Sequence, residues 1–402
     1  MSHTLLSFLG KPRPLDTAPD AGFAGRKYRE AAYAFTDGQR TTAFFAWALA
    51  EYVRPDRLLV LGTAGSAWDL LVGELPSDDP AEVLYLDLLE AVEQNRVAQP
   101  QLAALEALVS RRIGLATTLR LIPYGRDEAE QLHTLQLMAD DLRAGDRVTL
   151  DVTHGLRHLP MLALVSALYL RMARGVEMAG IYYGALDLTP AGGPTPVMEL
   201  SGLLRITDWV RALSTFDKDG DYGEFAGLLQ ADGVADGVVS QLSRAAFQER
   251  ASNAHLAQQA LASAASGLTG PLPGIAGLFA ESLAERIRWH RRGELADWQR
   301  ELARQYLARR DYLRAAIFAY EGFVTRLMDR NDDPANYERR EATFRAFEGS
   351  ADLRLADYWL LKNLRNALAH GNQPRDGQVR RIVREEARLG AELQRLLSAL
   401  LG

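Results

Sequence analysis

The chain contains no cysteine and only four lysines among its 402 residues. Without cysteine it can form no disulfide, present no thiolate nucleophile and hold no cysteine-ligated zinc, and this composition suits a reducing cytoplasm. Arginine supplies nearly all of the positive charge, and the formal net charge at pH 7 is −6. This balance argues against a protein that coats nucleic acid over its whole surface, but it is compatible with a local RNA site.

Long hydrophobic runs are absent as well. The longest apolar stretch, residues 159–170, is too short to span a bilayer and indicates a buried helix instead. The first residues lack the charged segment and the cleavage site of a signal peptide. We therefore predict a cytoplasmic protein with no membrane partner.

The length exceeds what one hydrophobic core usually serves, so two or three domains are expected. Strands alternate with helices at first, which predicts an α/β, Rossmann-like domain with a parallel-type sheet over residues 1–202. Almost everything that follows reads as helix. We predict a helical connector over residues 203–300 and an all-α bundle over residues 301–402.

Residue patterns also predict three further elements of the first domain. Residues 39–52 fit a helix, and residues 82–87 fit a strand. Residues 178–188 and 196–200 flank a loop rich in glycine and proline, which predicts an antiparallel hairpin at the edge of the sheet.

The first of two polar strand-to-helix turns is Gly62-Thr63-Ala64-Gly65-Ser66. Ligands of open α/β sheets bind beyond the carboxyl ends of the strands, where glycine lets the backbone approach them. This turn is neither a dinucleotide-binding fingerprint nor a Walker loop. It fits a ligand loop, and it fits equally well a helix cap in which Ser66 and Asp69 form a capping box.

The second turn, Asp151-Val152-Thr153-His154-Gly155-Leu156-Arg157-His158, carries more polar groups than a cap requires. Thr153 could hydrogen-bond a ribose or a phosphate, Gly155 allows close approach, and Arg157 suits a phosphate. A zinc site at His154 and His158 is disfavoured, because no glutamate lies between them and no third ligand is near.

Near the end of the chain an apolar stripe predicts an amphipathic helix that Gly371 closes. The stripe consists of Leu353, Ala356, Leu360, Leu364 and Leu368, and a polar line of Asn363, Asn366 and His370 runs beside it. Arg365 precedes His370 by five residues, which is about 140° around an ideal helix. Two such helices that face each other across a two-fold axis could direct both side chains at one point.

An arginine and a histidine are sufficient for metal-independent RNA cleavage, in which a 2′-hydroxyl attacks the neighbouring phosphate. The imidazole can move the proton, and the guanidinium can hold the charge that develops on the phosphoryl oxygens. The alternative is that Arg365 pairs with a surface carboxylate and that His370 only favours the negative end of the helix dipole.

Two motifs resemble known families. Arg365-Asn366 with His370 resembles the R-x4-6-H motif of HEPN ribonucleases. Residues 151–160 resemble the D-x-T-H-G-x-R-x-x-P signature of CARF domains in ancillary proteins of type III CRISPR systems. Residues 5–10, and residues 59–63 followed by Trp68-Asp69, are similar to the first strands of that domain. The combination looks like a CARF–HEPN ribonuclease.

This resemblance implies an antiviral enzyme whose CARF dimer binds a cyclic oligoadenylate, expected to be cyclic tetra-adenylate. Its HEPN dimer would then cut single-stranded RNA without metal or cofactor, leaving 2′,3′-cyclic phosphate and 5′-hydroxyl ends. The protein would be a homodimer or a higher even-numbered oligomer, and no stable complex with the CRISPR effector is expected.

The resemblance also assigns roles to residues. Arg365, Asn366 and His370 of both protomers would be catalytic, and Glu321 would orient Arg365. The effector would bind Gly10, Lys11, Gly62, Thr63, Ser66, Thr153, His154, Gly155 and Arg157.

Two other functions stay open. The helical bundle could only dimerise, within a CARF-regulated binding protein or transcription regulator. Alternatively, the CARF pocket could itself cleave the cyclic oligoadenylate as a ring nuclease, with Thr153 and His154 carrying the reaction.

Overall fold

The computed structural model describes residues 1–11, 29–73, 82–156, 158–291, 293–329, 332–333, 336–371 and 374–402. The chain divides into two compact units, Met1–Leu204 and Arg205–Gly402. Within the described ranges, no helix is both long enough and apolar enough to cross a membrane.

The first unit is built around one sheet, which contains eight strands in the described part of the chain. The strands are β1 (His3–Leu9), β2 (Ala31–Phe35), β3 (Gly38–Thr42), β4 (Arg57–Gly62), β5 (Ala116–Leu121), β6 (Arg147–Asp151), β7 (Glu177–Gly184) and β8 (Thr195–Glu199). Their spatial order is β3-β2-β8-β7-β6-β1-β4-β5. Pairing is parallel except between β2 and β3 and between β7 and β8.

Helices cover both faces of this sheet. The helices α1 (Phe45–Val53), α2 (Trp68–Val72), α3 (Glu82–Glu93) and α4 (Gln99–Ile113) pack on one face, and α5 (Glu128–Asp140) and α6 (Leu159–Ala173) on the other. Strand β1 is apolar on both sides because it is central: Leu5 and Leu9 enter the first core, and Leu6 and Phe8 enter the second. The predicted α/β class with a parallel-type sheet is confirmed.

One predicted element of this unit is wrong, and two others are only partly confirmed. Residues 82–87 begin helix α3, because Leu88, Ala91 and Val92 extend the apolar pattern at helical spacing and are buried. Residues 39–42 belong to strand β3, which a two-residue turn folds back onto β2. The hairpin of β7 and β8 exists, but β8 also pairs with β2, so that β3 forms the edge of the sheet.

The second unit is entirely helical where it is described. After α7 (Gly202–Asp219), which begins just before the boundary, it contains α8 (Ala226–Ala231), α9 (Asp236–Arg250), α10 (Ala254–Leu268), α11 (Ala276–Arg286), α12 (Leu295–Ala308), α13 (Tyr312–Leu327), α14 (Tyr337–Glu348), α15 (Leu355–His370), α16 (Gly377–Val383) and α17 (Glu386–Leu401). The all-helical class predicted for the bundle is confirmed.

One apolar core extends through these helices, from Trp209 to Leu401. Helix α13 lies within it and buries small residues, which allows close approach of its neighbours. A Cβ at Gly322 would lie only 3.2 Å from the Cβ of Gln299 in α12. The predicted boundary at residue 300 falls inside α12, and a separate role for residues 203–300 as a connector stays a prediction.

A carboxyl group is buried in this core. Glu249 of α9 is only 4% exposed and accepts a 2.7 Å hydrogen bond from the Tyr306 hydroxyl, which accepts one in turn from the Arg314 guanidinium at 3.2 Å. Burial raises the pKa of Glu249 to about 7, although the hydrogen bond from Tyr306 and the nearby arginines oppose this shift.

Because its pKa is higher in the folded than in the unfolded protein, Glu249 should make stability depend on pH. Its contribution is complete below about pH 4.5 and is lost as the pH rises through 7, by on the order of 3 kcal/mol. We expect Glu249→Gln to flatten the fall in the free energy of unfolding between pH 5 and pH 8, as measured by urea denaturation. The exposed Glu281→Gln is the control, and a wild-type pH dependence in Glu249→Gln would contradict the assignment.

Candidate functional site

Three loops of the first unit meet at one edge of the sheet. Strand β1 lies between β4 and β6 and is parallel to both, so their carboxyl ends share that edge. The loops that leave these strands begin at Gly10, Thr63 and Val152. The structure thus brings together all of the predicted effector residues except Arg157, which lies outside the described residues.

Ser66 ties the first two loops together. Its buried hydroxyl donates to the carbonyl oxygen of Leu9 at 2.7 Å and accepts from the backbone N–H of Thr63 at 2.9 Å. The Ala67 N–H donates to the carbonyl oxygen of Gly10 at 3.0 Å. The capping-box prediction is wrong, because α2 starts after Ala67 and has no side-chain cap.

Asp151 organises the third loop from a fully buried position. Its carboxyl group accepts from the Ser7 hydroxyl at 2.6 Å and from the Thr153 N–H at 2.8 Å. Burial raises the pKa of Asp151 to about 6, and the hydrogen bonds from Ser7 and Thr153 oppose this shift. Asp151, the first residue of the CARF-like signature, therefore fixes the start of this loop from within the core.

Two glycines let the first and third loops touch. A Cβ on Gly10 would lie 2.6 Å from the backbone nitrogen of Gly155, a separation that real side chains do not reach. Gly155 has φ of +110°, which strongly favours glycine, and it is exposed.

The side chains of Thr153 and His154 make hydrogen bonds and a ring contact within the protein. The Thr153 hydroxyl accepts the Gly184 N–H at 2.8 Å. The His154 ring stacks on Phe44 at 5.3 Å between centroids, and its Nε2 accepts the Phe45 N–H at 3.4 Å. Burial lowers the pKa of His154 to about 4, so the ring is neutral near pH 7.

Lys11 is an exposed cation at this edge. Its Nζ donates to the side-chain oxygen of Asn95 at 2.6 Å, and both groups lie over Gly65, where a Cβ would meet them within about 3 Å. Sequence reasoning missed Asn95, because it lies in the turn after α3 and belongs to no motif. The effector-binding roles of all these residues stay predictions.

In the second unit, helix α15 carries the other motif and ends as predicted. It runs to His370, and Gly371 follows with φ of +62° and donates to the Ala367 carbonyl oxygen. The predicted apolar stripe is shifted at its start. Leu353 and Ala356 are exposed, whereas Tyr358 and Leu361 are buried together with Leu364.

Arg365 lies against an aromatic ring. Its guanidinium is 4.5 Å from the centre of the Tyr320 ring in α13, and its buried Nε has no hydrogen-bond partner among the described residues. Glu321, predicted to orient Arg365, instead forms an ion pair with Arg340 at 2.5 Å. The alternative in which Arg365 pairs with a carboxylate therefore finds no support in the described part of the chain.

Asn366 and His370 line a different surface of the same helix. There a cavity of about 380 Å³, the His370 cavity, lies between α15 and the start of α16. It is lined by Asn363, Asn366, Ala367, His370, Pro374, Arg375, Asp376 and Val379. Arg365 is not part of this lining, in agreement with the angle that separates it from His370 around the helix.

Comparison with known proteins identifies the first unit. Residues 4–187 match the family described as CRISPR system endoribonuclease Csx1, CARF domain. The CRISPR-associated protein MJ1674 of Methanocaldococcus jannaschii is 27% identical over 225 residues, which cover 51% of this chain and 35% of that protein. The chain thus matches only about a third of the length of this relative, and the family match ends before the helical unit.

The edge formed by β6, β1 and β4 is accordingly the loop edge of a CARF domain. The first unit thus matches a CARF domain over most of its length, and the chain is similar to a CRISPR-associated protein.

Removal of the Ser66 hydroxyl should destabilise the first unit. Ser66→Ala removes the side-chain partner of the buried Leu9 carbonyl and of the Thr63 N–H, and the loss of such buried hydrogen bonds typically costs about 1–3 kcal/mol. The measurement is chemical denaturation of wild type and variant, with Thr41→Ala as a control that loses an exposed hydroxyl. Equal stability of Ser66→Ala and wild type would show that this hydroxyl does not hold the loops.

Proposed function

We propose that the protein is an endoribonuclease that cyclic oligoadenylate activates, and that it cuts single-stranded RNA without a metal ion. The observation that carries this proposal is the state of Arg365. Its guanidinium is partly buried on the Tyr320 ring. No carboxylate of the described residues forms an ion pair with it, although acidic residues outnumber basic ones in the chain. Such an arginine is suited to an anion supplied from outside, and a phosphate of RNA is one.

The reaction needs only the groups of α15 from two protomers. The 2′-oxygen of one nucleotide attacks the adjacent phosphorus, and its proton passes to the imidazole of one His370. The bond from phosphorus to the 5′-oxygen breaks, and the leaving oxygen takes the proton from the imidazolium that this His370 has become. Arg365 holds the phosphoryl oxygens as their charge grows, and Asn366 orients the phosphate. The products carry a 2′,3′-cyclic phosphate and a 5′-hydroxyl group.

The activator would bind at the loop edge of the CARF domain. Gly155 leaves backbone accessible there, and Lys11 supplies a cation for a phosphate. A ring nuclease in which His154 moves the proton is less favoured, because the low pKa of this residue and its bond from Phe45 leave it a weak base.

A homodimer would join two CARF domains through helix α6, which starts directly after the third loop. Its outer face exposes an apolar stripe: Met161 is 74%, Val165 56% and Met172 62% exposed, at spacings of four and seven residues. Its inner face buries Ala163 and Ala167 in the core. Pairing of two such stripes across a two-fold axis would place two effector loops side by side, as a cyclic ligand with internal symmetry requires.

A charge in the middle of this stripe should weaken the dimer. We expect Val165→Glu to lower the sedimentation coefficient from that of a dimer to that of a monomer, because two carboxylates would be buried unpaired at the axis. Leu132→Glu is the matched control, since Leu132 is 54% exposed on α5. A Val165→Glu protein that sediments like wild type would exclude the α6 stripe as the interface.

The ribonuclease is tested with labelled single-stranded RNA in EDTA, with and without cyclic tetra- or hexa-adenylate. We expect wild type to cut RNA only with one of the effectors, and Arg365→Ala and His370→Ala to lose at least 100-fold of the rate, as removal of a group that stabilises the transition state does. Arg345→Ala, which removes an exposed arginine of α14, should retain activity.

Two results would contradict the proposal. Wild type that binds an effector but cuts no RNA would indicate a binding protein with a structural helical unit. Cleavage that both active-site variants retain would place the reaction elsewhere.

A further inference from the structure

We infer that the His370 cavity holds the nucleotide next to the scissile phosphate, with Arg375 on its phosphate and Asn363 on its base. This inference rests on the proposed ribonuclease function and extends it to the residues that bind substrate and set sequence preference. Neither Arg375 nor Asn363 belongs to the motif that contains Arg365, Asn366 and His370.

The size of the cavity fits a ligand larger than a phosphate group. Its volume of about 380 Å³ lies within the range of small-molecule sites, which begins near 300 Å³. Asn363 lies seven residues before His370, which is about 10 Å along the helix axis. A single ligand that contacts both residues is therefore about as long as a nucleotide.

Arg375 is held at the mouth of this cavity by its backbone. The Arg380 guanidinium donates to the carbonyl oxygens of Pro374 at 3.1 Å and Arg375 at 3.3 Å. Asp376 then caps α16 by accepting the Gln378 N–H at 2.6 Å. These bonds fix the segment on either side of the Arg375 side chain.

The Arg375 side chain itself is exposed, and no carboxylate pairs with it within the described ranges. Asp376 is occupied with its own helix N-terminus, although it follows Arg375 directly in sequence. A guanidinium that lines a cavity beside a histidine, with no internal counter-ion in the described chain, is suited to a phosphodiester.

Asn363 supplies a different chemistry on the opposite wall. Its amide offers both a donor and an acceptor, the combination that reads base edges in single-stranded RNA. It lies one turn before Asn366 on the same line of the helix, so that a base at Asn363 and a phosphate at Asn366 belong to neighbouring parts of one strand.

The inference is tested by RNA binding and by cleavage, with the full-length protein and its activator. Fluorescence anisotropy with a 2′-O-methyl RNA, which cannot be cut, measures binding alone. We expect Arg375→Ala to weaken this binding by roughly tenfold and to reduce its salt dependence, because one charge-assisted phosphate contact is lost. Arg375→Lys should restore part of the affinity, and Arg381→Ala, exposed on α16 but outside the cavity, should bind as wild type does.

Asn363→Ala should keep the cleavage chemistry but alter the distribution of cut sites on a randomised RNA, since the base contact is lost. Wild-type affinity and salt dependence in Arg375→Ala, together with a wild-type cut-site distribution in Asn363→Ala, would overturn the inference. Wild type that binds the uncleavable RNA through Arg375 but cuts no natural RNA would refute the ribonuclease and leave the cavity as an RNA site.

Discussion

The pitch of one helix constrains the whole C-terminal site. Five residues separate Arg365 from His370 on α15, so the two side chains leave the helix in different directions. In the structure the guanidinium lies on Tyr320 of α13, whereas the imidazole lines the cavity next to α16. One chain therefore presents the two halves of the proposed chemistry on separate surfaces. The proposed reaction therefore needs a second copy of α15, and we propose that dimerisation is part of catalysis.

The loop edge of the CARF domain follows a different principle. Several of its polar side chains form hydrogen bonds within the domain and so hold its loops in place. Ser66 joins β1 to the loop after β4, and buried Asp151 holds the loop after β6 through Ser7 and the Thr153 N–H. Rigid loops of this kind present backbone groups and a few side chains in fixed positions, which lowers the ordering cost of binding a ligand. The same polar residues that signal a binding site in the sequence thus build its frame.

Sequence patterns predicted the parts of the fold that local rules determine. Continuous apolar runs identified the central strands β1, β4 and β6, and Gly371 marked the end of α15 because a left-handed residue closes helices. Residues 82–87 were misjudged because their apolar spacing fits a strand as well as a helix. The residues that decide the matter, Leu88, Ala91 and Val92, come later in the chain.

The contacts within the two candidate sites were harder to predict, because they join residues that are distant along the chain. The partner of Ser66 is the Leu9 carbonyl, 57 residues away, and no local pattern announces that bond. Asn95 and Arg375 lie in turns outside any motif, so only the folded chain brings them to Lys11 and to the His370 cavity. The angle between Arg365 and His370, by contrast, follows from their spacing alone.

The most direct test of the central claim uses two inactive proteins. Arg365→Ala retains His370, and His370→Ala retains Arg365, so a mixed dimer contains one intact residue of each kind on different protomers. The account predicts that mixing and re-equilibrating the two variants with activator restores part of the RNA cleavage that each lacks alone. If wild type cuts RNA and the mixture, shown to contain mixed dimers, stays as inactive as its components, the site is not shared between protomers.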